Sequence, residues 1–172
     1  MKYPVLFLSF SVVNCPVYAG NITKHFNVST YIDRSKIYPY TLEVIPEEVN
    51  FLLEYSEEEK VFLDHDIQLN TVSDIPNSES SIGFGYNLNL LENNSVCRRN
   101  SDNLVSQEGF INLLIDGNPF DQTQPASALL LSPSTESGSL TGQSVLTLKS
   151  QPIKETMLNC SGSIRIEAEL AL

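Results

Sequence analysis

The chain has 172 residues, of which 41% are hydrophobic, and its formal net charge is −11 at pH 7. This length and composition are those of one globular domain with enough apolar residues to form a core. The acidic surface repels phosphate backbones and anionic lipid head groups, which argues against a nucleic-acid-binding protein and against a peripheral membrane protein.

The first nineteen residues have the pattern of a secretory signal peptide. Lys2 precedes an apolar run from Pro4 to Val13, and Val17-Tyr18-Ala19 provides the small-residue ending that signal peptidase cleaves. The apolar run is about ten residues long, whereas a membrane-spanning helix needs about 20. We therefore expect an exported protein that loses residues 1–19 and does not insert into the membrane.

Apolar residues recur at every second position along the remaining chain, and no segment keeps the spacing of an amphipathic helix for three turns. Each run places its apolar side chains on one face, as a half-buried antiparallel strand requires. The predicted strands are 26–32, 49–55, 61–71, 82–90, 111–115 and 164–172. They predict an all-β protein, and so many short strands favour a sandwich over parallel βαβ units.

Turn-forming residues separate these runs at 56–59, 73–78, 92–95, 116–119 and 132–138. Within the fourth turn, Asp116-Gly117 lies between apolar runs and predicts a hairpin. No internal repeat or low-complexity linker divides the chain, so we expect a single domain after the signal peptide.

Two cysteines remain once residues 1–19 are removed, Cys97 and Cys160. An even pair in an oxidising compartment predicts a disulfide. A metal site would need further Cys or His residues nearby, and a catalytic thiol would need a histidine partner.

The residues that could support catalysis or metal binding do not form a recognised pattern. Asp64 and Asp66 flank His65, but neighbours on a strand point to opposite faces. The acidic cluster 57–59 fits a solvated turn better than a pair of catalytic carboxylates. The sequence contains no Gly-x-Ser-x-Gly motif and no phosphate-binding glycine loop. We expect a non-enzymatic protein with no cofactor and no metal.

Arg98 and Arg99, next to Cys97, are candidates for a ligand-binding site. Two adjacent arginines could bind an acidic ligand such as a sialylated glycan. Arginines in a polar loop are more often simply solvated.

The predicted strand from Phe26 to Ile32 lies close to the end that signal-peptide cleavage would create. A strand at a free end can pair within its own domain, or it can pair with an exposed sheet edge of another copy. The alternating pattern alone does not decide between these two arrangements.

Several stretches of the chain match the spacing of one known family. They are Ile22 to Asp33, Ile45 to Ser56, Phe62, Gln68 to Thr71, Leu88 to Leu91, Gly138 to Leu148 and Cys160 to Ile166. Together they resemble the colonisation-factor fimbrial major subunits assembled by the alternate chaperone-usher pathway of Gram-negative bacteria. The match spans essentially the whole chain after the signal peptide and consists of apolar spacings. Two features depart from it, the cysteine pair and Arg34, where relatives tend to have proline.

The resemblance implies an immunoglobulin-like β-sandwich that lacks one strand and is completed by donor-strand exchange. Residues 20–34 would be the donor strand and 35–172 the pilin domain. The side chains that enter the neighbouring subunit would be Phe26, Val28, Thr30 and Ile32.

The implied function is that of a structural subunit of a bacterial surface fimbria that supports adhesion. The implied partners are other copies of the chain, a periplasmic chaperone, an outer-membrane usher and a tip adhesin. The alternative function is that of a minor or tip subunit that binds a host glycan.

Overall fold

The structure, a computed structural model, describes residues 39–155 and 158–171. The predicted signal peptide and the predicted strand 26–32 lie outside these residues. Within them the chain forms twelve strands and one 3₁₀ helix, Asn77–Ile82. The strands are β1 (Leu42–Pro46), β2 (Tyr55–Ser56), β3 (Val61–Phe62), β4 (His65–Pro76), β5 (Gly85–Arg99), β6 (Val105–Glu108), β7 (Ile111–Ile115), β8 (Asn118–Phe120), β9 (Ala126–Leu130), β10 (Ser132–Pro133), β11 (Ser139–Ser150) and β12 (Leu158–Ala171). The prediction of an all-β protein is confirmed.

The strands form two main antiparallel sheets. The larger sheet has the order β1-β4-β11-β7-β8, with β10 also paired to β11. The smaller sheet has the order β12-β5-β6, with β9 also paired to β5. A short hairpin joins β2 and β3. This arrangement is consistent with a β-sandwich.

One hydrophobic core receives side chains from both sheets. The buried apolar residues include Ile67 and Leu69 of β4, Leu146 and Leu148 of β11, and Tyr86, Leu88 and Leu90 of β5. Alternate residues of each strand face this core, because successive side chains of a strand point to opposite sides of its sheet. The predicted inward faces of 65–71, 84–90 and 111–115 are therefore confirmed.

The turn predicted from Asp116-Gly117 is also confirmed. Both residues have positive φ, 50° for Asp116 and 79° for Gly117, and Ile115 pairs with Asn118 on either side of them. This is the two-residue connection whose twist matches the flanking strands. It makes β7 and β8 a hairpin.

The turn predicted at 92–95 is wrong, because β5 continues through it without a break. The amide of Asn93 donates to the carbonyl of Ile111 over 2.9 Å, and the hydroxyl of Ser95 accepts from the backbone N–H of the same residue over 3.2 Å. Both side chains thus form hydrogen bonds to the backbone of Ile111 in β7, and the chain continues as a strand at this point.

Four further boundaries differ from the predictions. At 73–78, β4 extends to Pro76 and the 3₁₀ helix follows it. Of the predicted strand 49–55, only the last residue is in a strand, β2. The predicted strand 61–71 is divided into β3 and β4, with a break at 63–64. Ile82, predicted to begin a strand, is the last residue of the 3₁₀ helix.

Candidate functional site

The two main sheets each end in a strand with a free edge, and these two strands lie beside one another. β1 is the outermost strand at one end of the larger sheet, and β12 is the outermost strand at one end of the smaller sheet. Each is paired on one side, β1 with β4 and β12 with β5. Among the described residues nothing pairs with their other edges, so one side of the two-sheet arrangement is open.

A groove with a volume of about 550 Å³ lies between these edges. One wall consists of the end of β1 and the segment 48–53, and the other wall consists of Cys160 to Ile166 of β12. The floor is formed by core side chains, namely Ile67, Leu69, Phe110, Ile111, Leu146 and Leu148. The groove therefore gives access to the apolar interior of the protein.

The inward face of β12 is less well covered than that of its neighbour β5. Ile164, Ile166, Ala168 and Leu170 alternate with charged, exposed residues, yet each of these four is only half-buried. On β5 the inward Leu88 is fully buried. An apolar strand face that remains partly exposed has not gained the full free energy of burial, about 25 cal/mol for each Å².

Two ends of the groove can be distinguished from the strand registers. Cys160 and the segment 48–53 lie at the end where β4 begins, since Phe51 stacks on His65 with ring centroids 4.9 Å apart. At the opposite end, Leu170 of β12 pairs with Tyr86, close to the 3₁₀ helix. We call these the His65 end and the 3₁₀ end.

The segment 47–53 is held in place mainly by contacts to β4. The backbone N–H of Glu47 donates to the carbonyl of Gln68 over 2.9 Å, and Glu48 Oε2 lies 3.2 Å from His65 Nε2. Phe51 stacks on the same histidine. His65 therefore anchors the rim of the groove.

The aspartates on either side of His65 have partners of their own. Asp64 forms an ion pair with Lys149, with an N to O distance of 3.2 Å. Asp66 accepts a hydrogen bond from the hydroxyl of Thr147 over 2.6 Å. In the described part of the chain, no group of three or more His, Cys, Asp or Glu side chains is placed to hold a metal ion.

The disulfide expected from the even cysteine count is present. Cys97 and Cys160 are joined with an S–S distance of 2.05 Å, and they lie opposite each other in the register of β5 and β12. Cys97 is fully buried, and Cys160 lines the groove. The bridge fastens one wall of the groove to the rest of the smaller sheet.

Arg98 and Arg99 do not contribute to the groove. Arg98 Nη1 donates to the carbonyl of Asn103 over 3.3 Å, and Arg99 forms an ion pair with Asp102 at 3.2 Å. Both arginines thus bind the loop that joins β5 to β6. The acidic residues 57–59 occupy an exposed turn.

The sequence predictions located only part of this site. Phe26, Val28, Thr30 and Ile32 lie outside the described residues, so the structure does not place them. The two cysteines are brought together. Phe110 was not singled out, although it forms part of the floor and stacks on Phe62 at 5.8 Å. The sequence offered one indication of this role, since Phe110 directly precedes the apolar run 111–115.

Two comparisons with known proteins give no relative for the chain. No protein-family model matches it, and no curated protein matches it significantly. Over residues 39–155 and 158–171, no helix has both the length and the apolar character needed to cross a membrane.

Proposed function

We propose that this chain is a structural subunit of a bacterial surface fimbria that polymerises by donor-strand complementation and supports adhesion. The observation that carries the proposal is the groove between the free edges of β1 and β12, which opens onto the core. In this interpretation the two sheets are an immunoglobulin-like sandwich that lacks one strand. The missing strand comes from the N-terminal segment of another copy.

The dimensions of the groove support this assignment. β12 contributes seven consecutive residues to the wall, Cys160 to Ile166, and the alternating segment Phe26 to Ile32 is also seven residues long. An added strand pairs residue for residue with the strand beside it. Its inward side chains would be those at alternate positions, Phe26, Val28, Thr30 and Ile32.

The free energy available from this contact is large. Burial of three large apolar side chains gives ~1.5 to 3 kcal/mol each, and each net backbone hydrogen bond adds about 1 kcal/mol. The sum is on the order of 10 kcal/mol before the cost of ordering the segment. Because the donating and accepting surfaces differ, the contact does not close on itself and generates a filament.

Export and assembly partners follow from the same proposal. The predicted signal peptide directs the chain out of the cytoplasm, and the open groove must be covered until a neighbour arrives. A periplasmic chaperone would cover it, an outer-membrane usher would direct the exchange, and a tip adhesin would complete the fibre.

A non-enzymatic role is part of the proposal. The floor of the groove is apolar, and the charged groups along its rim, such as Glu48 and Arg165, are directed to partners, His65 and Glu92 respectively. This is a surface suited to burying a strand.

The polymer can be detected by gel electrophoresis without boiling. The full chain, produced for export in a Gram-negative host and purified, is expected to give a ladder of bands that collapses to one band on boiling. A single band before boiling, over a range of protein concentrations, would argue for a monomeric protein and against the proposal.

A further inference from the structure

Two exposed apolar side chains lie on the rim of the groove at its His65 end. Val49 is 76% exposed and Leu52 is 96% exposed, and both line the groove. Phe51 and Leu53 of the same segment are half-buried against the core, which directs the intervening Leu52 outward. Exposed apolar groups next to a binding groove are typical of an interaction surface.

A third exposed apolar side chain lies at the 3₁₀ end. Ile82, the last residue of the 3₁₀ helix, is 55% exposed. The helix is tied to the first described residues, because the hydroxyl of Tyr40 donates to Glu79 over 2.7 Å. The point where the N-terminal region enters the described structure is therefore close to Ile82.

The direction of the donated strand follows from the pairing in the sheets. Every strand pair of the described residues is antiparallel, and antiparallel pairing is slightly the more stable kind. β12 runs from Cys160 at the His65 end to Leu170 at the 3₁₀ end. β1 runs the opposite way, from Leu42 at the 3₁₀ end to Pro46 at the His65 end, so an inserted strand is antiparallel to only one of the two edges. β12 is the longer edge, with 14 residues against five in β1, and antiparallel pairing along it places Ile32 at the His65 end.

The chain between Ile32 and the described structure is short. Seven residue steps separate Ile32 from Pro39. Fully extended, they span at most about 25 Å. Pro39, which enters the described structure at the 3₁₀ end of the donating copy, therefore lies within about 25 Å of the His65 end of the accepting copy.

We propose that Val49 and Leu52 of the accepting copy pack against Ile82 of the copy that donates the strand. This inference rests on the proposed function and adds a second contact between neighbouring subunits, at the rim of the groove. The occupant of the rim is a second copy of this chain because the connection from Ile32 to Pro39 holds that copy's 3₁₀ end close to it. The contact fixes the angle between successive subunits and stabilises the filament.

The test uses Leu52→Glu in the full chain, with the gel ladder and the rate of ladder formation as readouts. The side chain is almost wholly exposed, so the thermal unfolding of the single subunit is expected to stay unchanged. Assembly is expected to slow about tenfold and the ladder to shorten, because the glutamate would be buried unpaired against a neighbour. Val49→Glu is expected to act in the same way.

The rescue variant is Leu52→Glu combined with Ile82→Lys, which replaces the apolar contact by an ion pair between copies. Assembly is expected to return to near the wild-type rate. The matched control is Leu91→Glu, since Leu91 is 43% exposed in the middle of β5, away from both ends. This control is expected to assemble normally.

The outcomes separate the two proposals. If the wild-type chain forms no ladder, the fimbrial function itself is wrong. If the wild type forms a ladder and Leu52→Glu forms the same ladder at the same rate, the rim contact is wrong while the function stands. Failure of Ile82→Lys to restore assembly overturns the assignment of Ile82 as the partner.

Discussion

Cys97 lies directly opposite Cys160 in the register of β5 and β12, and their disulfide fastens the strand that forms one wall of the groove. β12 is paired on one side only, so its position depends on β5 and on this bridge. The two cysteines are 63 positions apart in the sequence. The bridge thus joins distant parts of the chain.

Replacing both cysteines with alanine is expected to destabilise the protein by about 4 kcal/mol, from the entropy of closing a loop of this length in the unfolded chain. Urea unfolding of the double variant and of the wild type measures the difference. A loss of stability below about 1 kcal/mol would contradict the explanation that the bridge acts by restricting the unfolded chain.

Tyr86 carries a buried hydroxyl that has no hydrogen-bond partner among the described residues. A buried polar group without a partner costs about 1 to 3 kcal/mol. Tyr86→Phe keeps the ring and removes the hydroxyl, so it is expected to raise the free energy of unfolding by about 1 kcal/mol. Denaturant unfolding tests this prediction, and a variant less stable than the wild type would mean that the hydroxyl is bonded in solution.

Gly142 of β11 faces the ring of Tyr86 so closely that a Cβ at this position would lie 2.5 Å from the ring carbon Cε1. Gly142→Ala is expected to destabilise the protein by about 1 to 3 kcal/mol, because the ring must shift within a packed core. In a Tyr86→Leu background the same substitution is expected to cost much less. Equal costs in both backgrounds, measured by denaturant unfolding, would contradict the proposed clash.

Val28 is the central apolar residue of the predicted donor strand. Val28→Asp is expected to weaken assembly strongly, because an unpaired charge would enter the apolar groove. The control is Ser29→Asp, which carries the same charge at the neighbouring position, where the proposed donor strand would face outward. Normal ladders from Val28→Asp, or an equal loss from both variants, would count against an inward Val28.

The sequence predicted those strands whose alternation is strict and whose inward side chains are large. The stretches His65 to Thr71, Phe84 to Leu90 and Ile111 to Ile115 belong to this class, and their buried faces are the predicted ones. Leu63 and Ile82, predicted to face inward in the same runs, are exposed. The alternation of buried and exposed side chains along a strand depends on neighbouring residues only, so it can be predicted from the local sequence.

The predictions that failed depended on contacts between distant residues. Asn93 and Ser95 have the composition of a turn, but both bond to Ile111 in another strand and stay within β5. Phe51 has the spacing of a strand residue, yet it stacks on His65 in an unpaired segment. Neither partner can be identified from the neighbouring sequence.

The groove itself was expected only through the family resemblance. An open side between two sheets depends on which strands are outermost, and strand order is not a local property of the sequence. The alternating pattern from Phe26 to Ile32 predicts a strand but not the surface that it pairs with. The positions of β1 and β12 at the sheet edges show where an added strand could bind.

The central claim is that the groove accepts the N-terminal segment of another copy. A chain that lacks residues 20–33 should keep the groove and lose the donor strand, so by itself it should not polymerise. Its thermal unfolding is measured with and without a synthetic peptide of residues 22–33, with the Val28→Asp peptide as control. At a peptide concentration a hundredfold above Kd, the stabilisation is expected to be about 2.7 kcal/mol.

One peptide is expected to bind per chain, with a higher Tm for the wild-type peptide and no change for the control peptide. Polymerisation of the truncated chain without peptide, or an unchanged Tm with the wild-type peptide at saturating concentration, would contradict the donor-strand assignment.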